Sequence, residues 1–87
     1  MKLNFSRRFE KQRAKLAKSV KRKLNERLRL FVADSFHPLL NNHLLHDSYA
    51  GCRSINVTGD YRAIFYNESP DIVRFIAVGT HHDLFGT

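Results

Sequence analysis

The chain reads as an α+β domain, with two N-terminal helices packed on one face of a small, mostly antiparallel sheet, in the order β-α-α-β-β-β. Three observations predict this. Residues 7–32 repeat apolar side chains at intervals of three and four, as an amphipathic helix does. Residues 52–78 instead hold three short β-rich runs, separated by the turn-rich TGD (58–60) and NESPD (67–71). Finally, 87 residues with 43% hydrophobic and 26% charged side chains suit one globular domain, 1–87, with a modest core.

Residues 2–5 alternate Leu3 and Phe5 with polar neighbours and predict a short strand. Ser6 is the candidate N-cap of the first helix, although no Glu or Gln stands at the capping-box position. Phe9 and Leu16 share its apolar stripe. A second stripe runs through Val20, Leu24, Leu28, Phe31 and Val32, widened by Leu30. The seam is expected near Lys18-Ser19, with Ser19 as cap. No proline or glycine marks it, so one bent helix stays open. Two helices fit better, because a straight helix of about 28 residues would overhang so small a sheet. Pro38 ends the second helix by pushing His37 out of helical geometry. Residues 39–45 read as irregular, with room for one short turn or strand. Strands follow over 52–57, 61–66 and 72–78, and Leu84-Phe85 is a last apolar pair.

Charge is uneven. The formal net charge is +7, yet residues 1–33 hold 12 of the 15 Lys/Arg against Glu10 and Glu26, a local +10. Residues 34–87 hold Arg53, Arg62 and Arg74 against six acids, a local −3. A basic block of this kind attracts polyanions or an acidic protein partner. No apolar run approaches the roughly 18 residues that span a bilayer, and the start carries no apolar signal core. The single Cys52 forms no internal disulfide and suits a reducing compartment. A cytoplasmic protein without a membrane partner is expected. Cys52, with no base beside it in sequence, reads as a small core residue rather than a nucleophile. His43-x-x-His46 and His81-His82-Asp83 lack zinc-finger cysteines and an HExxH helix, so no metal or cofactor is expected.

The stretch RSINVTGDYRAIFY (53–66) predicts a hairpin. An odd loop, Val57-Thr58-Gly59 with glycine in the left-handed position, keeps Ile55, Tyr61, Ala63 and Phe65 on one apolar side. The other side then carries Ser54, Asn56, Asp60, Arg62 and Ile64. An arginine there suits a phosphate, because its planar fork donates two parallel hydrogen bonds. The bland alternative is an Asp60–Arg62 surface ion pair, worth little to stability. Five histidines add groups that exchange protons near neutral pH.

Together NHLLHDSYAGCR (42–53), GDYRAIFY (59–66) and VGTHHDLF (78–85), after FSRRFEK (5–11) and two basic helices, resemble the RelE/ParE superfamily of bacterial toxins, in particular its YafQ-like branch. The resemblance covers most of the chain and implies a RelE-like fold. It implies a ribosome-dependent messenger-RNA endoribonuclease of a type II toxin–antitoxin system, neutralised by a cognate antitoxin in a hetero-oligomer. Its expected partners are that antitoxin, messenger RNA in the ribosomal A site, and ribosomal RNA. His43, Asp60 and His81 match the family's site residues, Phe85 its terminal aromatic, and Arg62 a phosphate-contacting arginine of RelE-like members. The family's further histidine on the first hairpin strand falls on Asn56. The resemblance thus implies His43, Asp60, Arg62 and His81 as catalytic residues, with Arg53, Asn56, Tyr61, His82 and Phe85 binding RNA. The expected chemistry is metal-independent transesterification to a 2′,3′-cyclic phosphate, with His43 or Asp60 as base and His81 as acid. Two other readings stay open: a ParE-like DNA gyrase inhibitor, and a non-catalytic basic nucleic-acid-binding module.

Overall fold

In the computed structural model, which describes residues 1–86, the elements are β1 (Lys2–Phe5), α1 (Arg7–Ala14), α2 (Lys18–Ala33), β2 (His43–Leu44), β3 (Arg53–Asn56), β4 (Tyr61–Ser69), β5 (Ile72–Thr80) and α3 (His81–Phe85). Short 3₁₀ turns cover Pro38–Leu40 and Asp47–Tyr49. The five strands lie in the order β1-β5-β4-β3-β2, with β1 parallel to β5 and the other pairs antiparallel. The expected α+β architecture is present, with β2 and α3 added to the six predicted elements. No helix among the described residues is long and apolar enough to cross a membrane.

Several local expectations are corrected. Ser6 caps α1 as expected, its Oγ accepting from the Phe9 amide at 3.0 Å. Ser19 does not cap α2. That place falls to Ala17, with no side-chain cap, because α1 closes early with Leu16 packed against the core. Helix α2 ends at Ala33, four residues before His37, and Val32 is 48% exposed rather than part of the buried stripe. His37 instead caps the following 3₁₀ turn, its Nδ1 accepting from the Leu39 amide at 3.1 Å. The hairpin loop is odd but sits one residue later, at Thr58-Gly59-Asp60. Val57 pairs with Tyr61 and joins the core, and Gly59 does not take a positive φ. Burial of Val57 beside Ile55 decides that register. Strands β4 and β5 run longer than their apolar stretches, since cross-strand pairing carries through Asn67, Ser69 and Gly79.

The core lies between the helices and one sheet face. Phe75 is fully buried and meets four other rings, those of Phe5, Phe9, Phe31 and Phe65, at centroid distances of 6.0, 5.8, 5.4 and 5.2 Å. Leu24, Leu28, Ile55, Val57 and Val78 fill in around them. Partway along β5 the pairing slips: Ile64 faces Ala77, but Phe65 faces Phe75, leaving Ile76 as a bulge. The bulge exchanges the faces. Val73 and Phe75 point to the helices before it and Val78 after it, so Ala77 and Gly79 fall on the other side. Helix α1 satisfies the backbone there. The Ser6 hydroxyl donates to the Ile76 carbonyl at 3.1 Å, and the Val78 amide donates to Gln12 Oε1 at 2.9 Å.

Phe75→Ala is expected to lose about 3–5 kcal/mol, most of the stability of a domain this small. Phe75→Leu should lose far less, because it keeps most of the volume. Urea denaturation of both variants measures this, and a loss below about 1 kcal/mol for Phe75→Ala would contradict the central place of that ring.

Candidate active site

The sheet face turned away from α1 and α2 is only partly covered. Ile64, Ala77 and Leu84 form a second buried cluster there, roofed by Leu45, Tyr49, Cys52 and Phe85. Beside it opens a cleft of about 680 Å³. Its floor is Ser54 on β3 and Arg62 on β4, one wall is the segment from Asn41 to Tyr49, and the other is α3 with His81, Leu84 and Phe85.

Local chemistry places each wall. Asn41 and Asp47 both take the left-handed conformation, at φ 45° and 56°, which short polar residues tolerate. They bracket β2 and swing it against β3, where His43 pairs with Ser54 and Leu44 with Arg53. Paired residues share a sheet face, so His43 stands beside Ser54 over the cleft. Asn42 ties the segment down, its Nδ2 donating to the Ser35 carbonyl at 2.8 Å and its Oδ1 accepting from Arg53 Nε at 2.7 Å. Arg8 of α1 reaches the Tyr49 hydroxyl at 3.2 Å. On the other side Thr80 caps α3, its Oγ1 accepting from the Asp83 amide at 3.0 Å, and Gly86 ends the helix at φ 72°. Leu84 packs over Gly79.

The polar groups carry defined geometry. His43 Nδ1 lies 2.8 Å from the Asn41 carbonyl, which accepts only. A hydrogen bond there needs the proton on Nδ1, the tautomer whose acceptor is Nε2. Arg62 turns toward the hairpin loop, where its Nη1 donates to the carbonyls of Thr58, Gly59 and Tyr61 at 2.9, 3.2 and 3.0 Å. That fixes the guanidinium plane at the cleft's edge. The His81 amide donates to the Asp60 carbonyl at 3.0 Å, joining the hairpin loop to the first turn of α3. The His81 ring meets Phe85 at 4.8 Å between centroids, and Phe85 meets Tyr49 edge-on at 5.7 Å. His43 is level with Ser54 and Ile64, so Arg62 lies two strands over and two residues along, its backbone roughly 12 Å from that of His43 at strand spacings of about 4.8 Å.

Of the residues singled out in the sequence, His43, Arg62, His81 and Phe85 line this cleft. Asp60 sits exposed in the hairpin loop, outside the lining, and meets His81 through its carbonyl. Arg53 lies off the cleft, hydrogen-bonded to Asn42 and stacked over Phe36 at 5.4 Å. Tyr61 packs toward the helix-side core, and His82 is exposed outside the lining. Asn56 pairs with Arg62 across the hairpin, half-buried, with its Oδ1 buried and unpartnered among the described residues. Sequence reasoning missed Ser54 and Tyr49 as site residues. Ser54 is 1% exposed and its Oγ has no partner among the described residues, although its even position beside Asn56 already set it on this face. Burial pushes the Cys52 thiol above its ordinary range, in keeping with a packing role. No three His, Cys, Asp or Glu side chains among the described residues cluster as metal ligands.

Residues 1–86 match the protein family described as a bacterial toxin of type II toxin–antitoxin systems, YafQ. Among solved structures, YafQ from E. coli strain BL21(DE3) is 27% identical, with a TM-score of 0.79 over 97% of each chain. The toxin of the E. coli DinJ–YafQ toxin–antitoxin complex is also 27% identical, with a TM-score of 0.76 over 97% of this chain and 96% of that one. A YoeB/ParE toxin from Agrobacterium tumefaciens has a TM-score of 0.76 at 20% identity, over 93% of this chain and 99% of that one, a likeness of fold alone. No curated protein sequence matches the chain.

Proposed function

The chain belongs to the YafQ family of type II toxin–antitoxin toxins, and we propose that it arrests translation by cutting messenger RNA on the ribosome, using the cleft between β2 and α3. Family membership supports a ribonuclease toxin. The observation that carries this reading is the gathering of three imidazoles (His43, His46 and His81), the Arg62 guanidinium and the rings of Tyr49 and Phe85 around one cleft.

The mechanism uses groups of this chain alone. Neutral His43 takes the proton of a ribose 2′-hydroxyl on Nε2, while the Asn41 carbonyl holds the opposite nitrogen and so stabilises the imidazolium that forms. The 2′-oxygen attacks the adjacent phosphorus. Arg62 presents its remaining N–H groups to the phosphoryl oxygens as negative charge builds there, with its plane already set by the loop carbonyls. The bond from phosphorus to the 5′-oxygen breaks. Protonated His81 gives its proton to that oxygen, leaving a 2′,3′-cyclic phosphate and a 5′-hydroxyl. Phe85, held edge-on by Tyr49, offers a face on which a base stacks. Asp60 acts from the rim by positioning His81 through its carbonyl, which leaves His43 the better-placed base. Asn56 cannot exchange a proton as a histidine would, so proton transfer falls to His43 and His81.

The exposed cations Lys11, Lys18 and Arg22 supply the sequence-independent attraction to ribosomal RNA. As DinJ accompanies YafQ in the E. coli complex, so a cognate antitoxin joins this chain and holds it inactive until released.

His81→Ala and His43→Ala are each expected to slow cleavage by about 10²–10⁴-fold while leaving the fold intact. Mapping transcript ends after induction tests this, since a folded His81→Ala protein that cuts as well as the parent sinks the role given to that ring. Cleavage by the parent protein should leave 3′ ends that accept a 5′-phosphorylated adaptor only after the cyclic phosphate is opened and the resulting monoester removed. Ends bearing a free 3′-hydroxyl would require a different nucleophile.

A further inference from the structure

Among the described residues Ser54 is the one buried residue that is polar, and its hydroxyl has nothing to bond. It is 1% exposed, it lies in the floor of the cleft, and its Oγ has no hydrogen bond among those residues. Other hydroxyls in the fold are bonded. Ser6 accepts from the Phe9 amide and donates to the Ile76 carbonyl, Ser35 donates to the Phe31 carbonyl, and Thr58 and Thr80 each accept from backbone amides. A buried hydroxyl without a partner costs stability, and alanine in its place would not carry that cost. Packing alone therefore gives no reason for a serine here.

Its position supplies one. Strand β3 runs between β2 and β4, and Ser54 is level with His43 on one side and Ile64 on the other. Asn56, two residues on, is level with Arg62. Ser54 thus stands about 5 Å from the His43 backbone and about 8 Å, on the diagonal, from that of Arg62. That is close to the line joining the two. A phosphodiester that reaches His43 with its ribose and Arg62 with its phosphate passes over this residue. Arg62 is tied to the carbonyls of the hairpin loop and approaches from that side, so a phosphoryl oxygen turned toward the floor needs another donor.

We propose that Ser54 is a further catalytic residue, its hydroxyl donating from beneath to a phosphoryl oxygen of the scissile linkage. The inference rests on the cleavage reading above. The hydroxyl keeps its own proton, and the proton transfers through His43 and His81 are unchanged. Being neutral, it adds a donor where negative charge builds without burying a second cation, and the middle strand holds it in place. The exposed His43 and half-buried Arg62 side chains flank it, and the substrate reaches it as they change rotamer on binding.

The test compares the parent with Ser54→Ala. The variant should unfold at a higher urea concentration than the parent, because it removes a polar group that the free protein leaves unbonded. It should also cut ribosome-bound message about 10–10²-fold more slowly at saturating toxin. Stability gained with activity lost is the signature of a residue kept for the reaction. A lower urea midpoint for Ser54→Ala would show a structural partner for the hydroxyl and overturns the proposal. A rate within about twofold of the parent overturns it as well. A single phosphorothioate at the scissile position probes the contact itself. Sulfur accepts hydrogen bonds weakly, so the parent should cut the stereoisomer that turns sulfur to the floor more slowly, and that penalty should vanish in Ser54→Ala. A penalty that survives intact in the variant rejects the contact. If the parent leaves the message uncut, the cleavage reading falls and this proposal with it. A parent and a variant that cut equally well remove this proposal alone.

Discussion

Phe75 is the point at which the two layers are joined. Its ring touches others from β1, α1, α2 and β4, so one side chain on the middle of β5 fixes where both helices lie on the sheet. Offset and edge-on aromatic pairs add directional preference to the burial of a large apolar area. In a domain this small, few other residues could do the same, and the remaining aliphatic side chains pack around a frame the rings have already set. The consequence for function is an asymmetry. One sheet face is committed to packing, and the other is left to carry polar groups.

The Ile76 bulge converts that asymmetry into a site. By exchanging the faces of β5, it puts Gly79 opposite Arg62 on the cleft side and lets Thr80 turn the chain into α3. A bulge leaves backbone groups outside the ladder, and here Ser6 and Gln12 collect two of them. The same Ser6 oxygen caps α1. The start of the first helix, the irregularity in the last strand and the placement of His81 are therefore mechanically linked, although they lie at opposite ends of the sequence.

Two surfaces of the molecule are built on different physical terms. The cleft mixes polar groups with Leu44, Leu45, Leu84 and Phe85, is framed by short segments whose left-handed Asn41 and Asp47 bracket β2, and has His43 and Arg62 hydrogen-bonded to carbonyls rather than in ion pairs. A groove at β1 is mainly apolar, edged by Arg13 and Arg29, with Arg13 3.5 Å from the Glu10 carboxylate.

Much of this was legible in the chain itself. Helical spacing from Phe9 to Phe31, the period-two pattern of Ile55, Tyr61, Ala63 and Phe65, and the odd parity of the hairpin loop are local properties, and they fixed the elements and the face on which Arg62 stands. The motif order also pointed to His43, His81 and Phe85. Other features were decided only in three dimensions: the hairpin loop lying one residue later, the bulge at Ile76, the outward turn of Val32, and the withdrawal of Tyr61 and Arg53 from the cleft. Each depends on what packs or pairs across the sheet, as when burial of Val57 pulls it out of the loop. Side-chain periodicity records which way a residue faces along its own element. It holds no information about which distant residue it will meet.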